Sequence, residues 1–397
     1  MHPVLAKKLI MKNGIIILMM LISQVSKGQT LQTVHGIVKD RQEMSWYIVQ
    51  EKLWKKEIDA NKKNPVAWSN YYEAVRAQYL LTGKETSEVK PFVDKLNKIT
   101  DDLYALLPDS FEANYLMYRN YGDRGAKEYF KYLQRAFEID PNDQRVYELF
   151  ITQYEMDRNE SGFHDFCVRY FMANELPSGV YNWAYNMISE TDQNAILFTG
   201  GDLDTYPIWG LQEAKNIRKD VRVINTYLLL DDTYRTKILA EMGIPPFTKN
   251  MSDCKTEEER AQNETALFKH ILTNQQNIPV YVASNIVFQF QENFGDNLYM
   301  TGLTYKYSAE PIDNISLIRR NYEKKYLLDY LNQSFSFHPG DKMIARVNST
   351  YLPAFLKLYF HYRDGEETEK AETLKAYIIE ISRRADCYND VIKLIEK

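Results

Sequence analysis

The hydrophobic period changes near Ala195, and that change constrains the fold of this chain more than any other feature. Upstream, apolar residues recur at helical spacing; downstream, short unbroken apolar runs alternate with helical stretches. Ala195-Ile196-Leu197-Phe198-Thr199 carries no charge and closes on Gly200-Gly201, which reads as a buried strand entering a tight turn. Val221-Arg222-Val223-Ile224-Asn225 and Pro279-Val280-Tyr281-Val282-Ala283 read the same way. Between the first two, Ile208, Trp209, Leu211, Ala214 and Ile217 line the inner face of a helix that Asp204 or Thr205 would cap, with Pro207 near its first turn. Thr233–Met242 and Thr256–Thr273 supply further helices. Strands alternating with helices predict a small parallel α/β domain, with Leu298–Tyr307 adding strand at its edge. Helices return over Leu317–Leu331 and from Tyr351 onward, broken at Asp364-Gly365.

Upstream, from about Asp40 to Asn159, the breaks between helical stretches carry Asn-Pro and Asp-Pro-Asn signals. Trp46, Val49, Leu53 and Trp54 mark one helical face, and a second helix starts at Asn64-Pro65 and carries Trp68, Tyr71, Tyr72 and Val75. Ala136-Phe137-Glu138-Ile139-Asp140-Pro141-Asn142 resembles the junction between tetratricopeptide repeats, where a small residue lets two helices approach and Pro begins the next turn. Pro108 lies 33 residues before Pro141 and Pro65 lies 43 before Pro108, so the repeats are degenerate. An irregular helical bundle is the other reading.

The first 28 residues differ from all this. Lys7, Lys8 and Lys12 precede the apolar run Gly14–Ile22, and Ser26-Lys27-Gly28 places small residues two apart before Gln29, the pattern of a secretory signal peptide. Nine apolar residues are too few to cross about 30 Å of hydrocarbon, so no stable transmembrane anchor is expected. Removing residues 1–28 takes away four Lys and no acid, moving the formal charge from −5 to −9, which argues against nucleic acid as a partner. Cys167, Cys254 and Cys387 allow at most one internal disulfide or three unpaired thiols, and their spacing makes no metal site. The expected location is periplasmic or secreted.

Residues with chemical potential gather after the first two strands. In an open parallel sheet, ligands bind beyond the carboxyl ends of the strands, where Gly200, Gly201, Asp202, Asp204 and Thr205 sit. Asn225, Asp231 and Asp232 follow the second strand and would face the same edge, giving one polar rim. Asp202 and Asp204 could hold a divalent cation or sugar hydroxyls, as in nucleotide-sugar glycosyltransferases, or simply favour the helix N-terminus through its dipole. A haloacid dehalogenase reading fails on spacing, because two glycines separate the strand from Asp202 and Thr205 directly follows Asp204. The histidines at 164, 270, 338 and 361 are scattered, and no Gly-x-Ser-x-Gly, Walker loop or His-Glu-x-x-His occurs.

The segment from Ala195 through Gly200-Gly201-Asp202-Leu203-Asp204-Thr205-Tyr206-Pro207-Ile208-Trp209, then Asp220-Val221-Arg222-Val223-Ile224-Asn225, is similar to the soluble C-terminal part of the DUF2723 membrane proteins, which are related to protein O-mannosyltransferases. Gly302-Leu303-Thr304-Tyr305 resembles a later element of the same region, and the likeness covers about residues 190–330. Those relatives carry many transmembrane helices ahead of this region and are credited with sugar transfer in the membrane portion. This chain has a signal peptide and helical repeats in that place, so the resemblance transfers no catalytic residue. It implies an extracytoplasmic module that recognises an acceptor protein or glycan.

Together these readings predict a signal peptide over 1–28, a tetratricopeptide-like helical domain over 29–190, a parallel, Rossmann-like α/β domain over 191–312 and a helical region over 313–397. The expected function is noncatalytic binding of a protein or glycan, with no cofactor, no metal and no catalytic residue. The alternative is a glycan-processing, glycosyltransferase-like enzyme using the Asp202/Asp204 loop, and a purely structural envelope component is a third class.

Overall fold

The computed structural model describes residues 30–396 except 38, 84–85, 123–126, 175, 276 and 333–339, so the expected signal peptide lies outside the described residues. The chain divides into two compact units, one ending at Val146 and one beginning at Tyr147. The regular elements of the first are helices: α1 (Met44–Ala60), α2 (Pro65–Thr82), α3 (Thr86–Leu106), α4 (Phe111–Met117) and α5 (Phe130–Ile139). Local chemistry sets their starts. The Asn64 side chain accepts the Ala67 N–H at 3.3 Å while Pro65 sits at the first helical position, where its missing N–H costs nothing. Ser110 accepts the Ala113 N–H at 3.2 Å and starts α4 in the same way.

Trp68, Tyr71, Tyr72 and Val75 form the buried face of α2, as their spacing predicts. On α1 the buried stripe is Tyr47, Gln50, Trp54 and Ile58, so it excludes Trp46, Val49 and Leu53. Gln50 accounts for the shift. Its side chain is fully buried and bonds to the main chain of residues 30 and 32, so a polar residue holds a core position that no hydrophobicity pattern reveals.

The second unit opens with α6 (Tyr147–Asp157), α7 (Glu160–Ala173) and α8 (Ser178–Glu190). Then come β1 (Ile196–Thr199), α9 (Asp202–Lys215), β2 (Arg222–Asn225), α10 (Asp232–Glu241), α11 (Glu257–Asn274), β3 (Val280–Ala283), α12 (Phe288–Phe294), β4 (Leu298–Met300) and β5 (Thr304–Tyr307). The sheet order is β2-β1-β3-β5-β4. β1 pairs in parallel with β2 and β3, and β5 runs antiparallel to both β3 and β4. The expected parallel part is β2-β1-β3, and the strand expected over 298–307 folds as two antiparallel strands that make the sheet mixed. Three residues between β4 and β5 leave no room for the crossover a parallel pair needs, so a hairpin forms. Phe198 of β1 meets Phe268 of α11 and Phe290 of α12 at centroid distances of 5.6 and 6.0 Å, forming the aromatic core beside the sheet.

The remaining helices are α13 (Asn314–Lys324), α14 (Asp329–Asn332), α15 (Asp341–Asn348), α16 (Leu352–Asp364), α17 (Thr368–Arg384) and α18 (Tyr388–Ile395). The single helix expected over 317–331 is interrupted after Lys324, and a buried latch explains why. Glu190, at the end of α8, is fully buried and accepts the Leu303 N–H at 2.5 Å, the Thr304 N–H at 3.1 Å, the Thr301 and Thr304 hydroxyls at 3.0 and 2.7 Å, and the Tyr326 hydroxyl. Asn186, one turn earlier, exchanges bonds with the main chain of Leu327 at 2.8 and 2.9 Å. A continuous helix could not turn both Tyr326 and the Leu327 backbone toward α8. All three cysteines are free, and burial pushes the Cys167 thiol well above its usual range.

Candidate functional site

The carboxyl ends of β1, β2 and β3 lie side by side, and the residues that follow them meet. Gly201 occupies the cap of α9, so the helix begins at Asp202, earlier than a cap at Asp204 or Thr205 would place it. Pro207 consequently falls inside the helix. Asp204 acts from the third helical position by reaching back: Oδ2 accepts the Gly200 N–H at 3.0 Å and Oδ1 the Gly201 N–H at 2.6 Å. Asn285, just past β3, donates to Oδ2 at 2.9 Å. Asp204 is 1% exposed, and burial raises its carboxyl above the usual range against these three bonds.

Around it, Thr205 shares a hydrogen bond with Thr199 at 2.8 Å and accepts from Asn225 at 3.1 Å. The Asn225 side chain in turn accepts the Tyr227 N–H at 2.9 Å. Gly200, Gly201, Asp204, Thr205 and Asn225 thus converge, whereas Asp202 is exposed on the first turn of α9. Gly200 packs closely against the residues after β3: a Cβ there would lie 2.4 Å from Cγ2 of the buried Ile286. Asn285 and Ile286 were absent from the sequence reading, although the rule about carboxyl ends of strands applies to the tip of β3 as much as to that of β1.

Asp231 and Asp232 take other roles. Asp231 caps α10 by accepting the Tyr234 N–H at 2.7 Å. Asp232 holds the loop at 249–252, accepting the Met251 N–H at 2.8 Å, the Ser252 hydroxyl at 2.5 Å and the Arg235 guanidinium at 2.5 Å. Burial alone would raise its carboxyl, but the Ser252, Met251 and Arg235 contacts outweigh it and hold the group at about 2, below the ordinary 3.8. A depressed folded value means stability that is present above pH 3.8 and lost as pH falls toward 2. Asp232→Asn is expected to flatten that stretch of a plot of urea midpoint against pH; an unaltered slope would contradict the assignment.

An open cleft of about 470 Å³ lies beside the edge strand β2, lined from the α6–α7 turn, α9, β2 and α10. Tyr154, Phe163 and Trp209 give it aromatic walls. Glu155 accepts from Tyr234 at 2.7 Å and Arg158 at 2.5 Å, and burial raises its carboxyl while Arg158 lowers it. Arg158, held at φ 58°, also donates twice to Glu241 at 2.8 and 2.9 Å, and Arg222 joins Glu241 at 2.9 Å. Two carbonyls along this edge are capped: Val221, just before β2, accepts from Gln212 at 2.7 Å, and Val223 accepts from the Trp209 indole at 3.4 Å. Among the described residues no group of three or more His, Cys, Asp or Glu is placed to hold a metal ion, and no helix is long and apolar enough to cross a membrane.

Residues 180–243 match the profile of a family described as TMEM260-associated domain 2. The match runs from α8 through β1, the acidic bend, α9 and β2 to the end of α10. No curated protein matches the chain.

Proposed function

We propose that this chain is a noncatalytic exported protein that binds a protein or glycan in the periplasm or outside the cell, using its helical first unit and its α/β module. The observation that carries this reading is the state of Asp204: both carboxylate oxygens are consumed inside the bend by Gly200, Gly201 and Asn285. A glycosyltransferase-like site needs that acid and Asp202 turned together toward a metal-bound donor. The cleft beside β2 suits a polyhydroxylated ligand better, because aromatic faces flank paired Glu and Arg groups there. The tetratricopeptide-like reading of the helices belongs to the proposal too, supported by Ala136, fully buried three residues before the end of α5. So does kinship with the DUF2723 proteins, which rests on the bend and strand residues quoted above.

Two measurements on the purified chain test the proposal. With nucleotide sugars and manganese, no sugar is expected to be transferred or hydrolysed; turnover that Asp204→Ala abolishes would establish the glycan-processing alternative instead. In calorimetry with envelope-type oligosaccharides, Phe163→Ala is expected to weaken binding about ten-fold, or about 1.4 kcal/mol.

A further inference from the structure

The segment Thr30–Val34 has no regular secondary structure, and Gln50 and Trp54 of α1 and Asn70 of α2 hydrogen-bond to its main chain. Gln50 works as a two-point clamp: Oε1 accepts the Gln32 N–H at 2.9 Å and Nε2 donates to the Thr30 carbonyl at 2.9 Å. The Trp54 indole donates to the Gln32 carbonyl at 2.9 Å, and the Asn70 amide oxygen accepts the Val34 N–H at 2.7 Å. Asn70 is itself aimed by donating to the Val66 carbonyl at 2.8 Å. The contacts fall on residues 30, 32 and 34, the alternation of an extended chain read along one edge. Of the five side chains, four are exposed and only Val34 is buried.

We infer that α1 and α2 form a groove for an extended peptide of a partner protein, recognised through its main chain plus one aliphatic side chain, and that Thr30–Val34 occupies it in cis. A buried glutamine amide on an otherwise apolar face is costly unless both of its polar atoms are satisfied. Gln50 presents one acceptor and one donor at the spacing a strand edge offers, so any extended chain satisfies it. The groove sets a requirement at one position, where Val34 sits, and leaves the neighbours free. This inference rests on the reading of the helical unit as a partner-binding surface.

The probe is a fluorescein-labelled peptide, Thr-Leu-Gln-Thr-Val-His, copying residues 30–35, followed by polarisation. The tethered segment competes at an effective concentration on the order of millimolar, so the wild-type chain is expected to bind the peptide weakly. Val34→Asp ejects the segment and is expected to tighten peptide binding at least about ten-fold, and adding Gln50→Ala is expected to reverse that gain. Peptides altered at the Leu or at the second Thr should bind equally well, and one with Asp in place of Val should not bind. Circular dichroism checks folding, and a chain lacking residues 30–35 replaces Val34→Asp if that variant melts. A folded, segment-free chain that binds no more tightly than wild type, or binding that survives Gln50→Ala, would overturn the inference and leave the sugar-transfer test untouched. A wild-type dimer that Val34→Asp dissolves would overturn it too, in favour of segment exchange between copies.

Discussion

Glu190→Ala is expected to lower the stability of the second unit by roughly 3–5 kcal/mol, seen as a lower urea midpoint with an unchanged slope. Its carboxylate is the acceptor for two backbone N–H groups and three hydroxyls, all enclosed between α8, the β4–β5 turn and Tyr326. The hydroxyls can rotate to other acceptors. The Thr304 N–H cannot, and the Leu303 N–H is left with only the Tyr326 hydroxyl at 3.3 Å; a buried orphan costs about 1–3 kcal/mol before the vacated volume is counted. Gly302 completes the latch: at φ 147° its added Cβ would lie 1.9 Å from the Tyr326 hydroxyl and 2.6 Å from Glu190 Oε1. Gly302→Ala should therefore cost about as much, and the two changes together should cost clearly less than their sum, because each breaks the same contacts. Simple additivity would mean that the latch does not act as a unit.

The second large effect is at the acidic bend. Asp204→Ala is expected to cost about 3 kcal/mol, since the N–H groups of the buried Gly200 and half-buried Gly201 lose their acceptor and the 1%-exposed Asp204 site is left vacant, while the exposed Asn285 can turn to water. Asp204→Asn should recover only part of this, because its amide turns a donor toward N–H groups that are donors already. Asp202→Ala, on the exposed first turn of α9, should change stability by less than about 1 kcal/mol. A chelating pair predicts the opposite pattern, with both variants folding normally and both losing the same manganese titration. Equal thermal denaturation curves for Asp202→Ala and Asp204→Ala would refute the capping role.

β1, β2 and β3 were legible as short, largely apolar runs between helical stretches, whereas the β4–β5 hairpin was legible only as one stretch over 298–307; the residues after β1 were legible because ligand rules point to strand ends. Polar residues in core positions were not. Gln50, Glu190 and Asn186 carry the most consequential buried contacts, yet a hydrophobicity pattern assigns all three to the surface. The role of Asp204 was open between chelation and capping because the two differ only in where the carboxylate points. Asn285, 81 residues further along the chain, decides that direction, and a contact so distant leaves no trace in local spacing. Asp231 and Asp232 were placed on a shared rim for their sequence proximity to β2, but the 249–252 loop draws Asp232 away.

The capped carbonyls beside β2 bear on how a sheet edge is kept from pairing with another chain. Gln212 and Trp209 come from α9, the helix immediately before that strand in the chain. Both caps are therefore local to the β1–α9–β2 unit and use no residue from the downstream half of the sequence. A neighbouring strand adding at that edge would find the Val221 and Val223 carbonyls already occupied, which disfavours cross-strand self-association there.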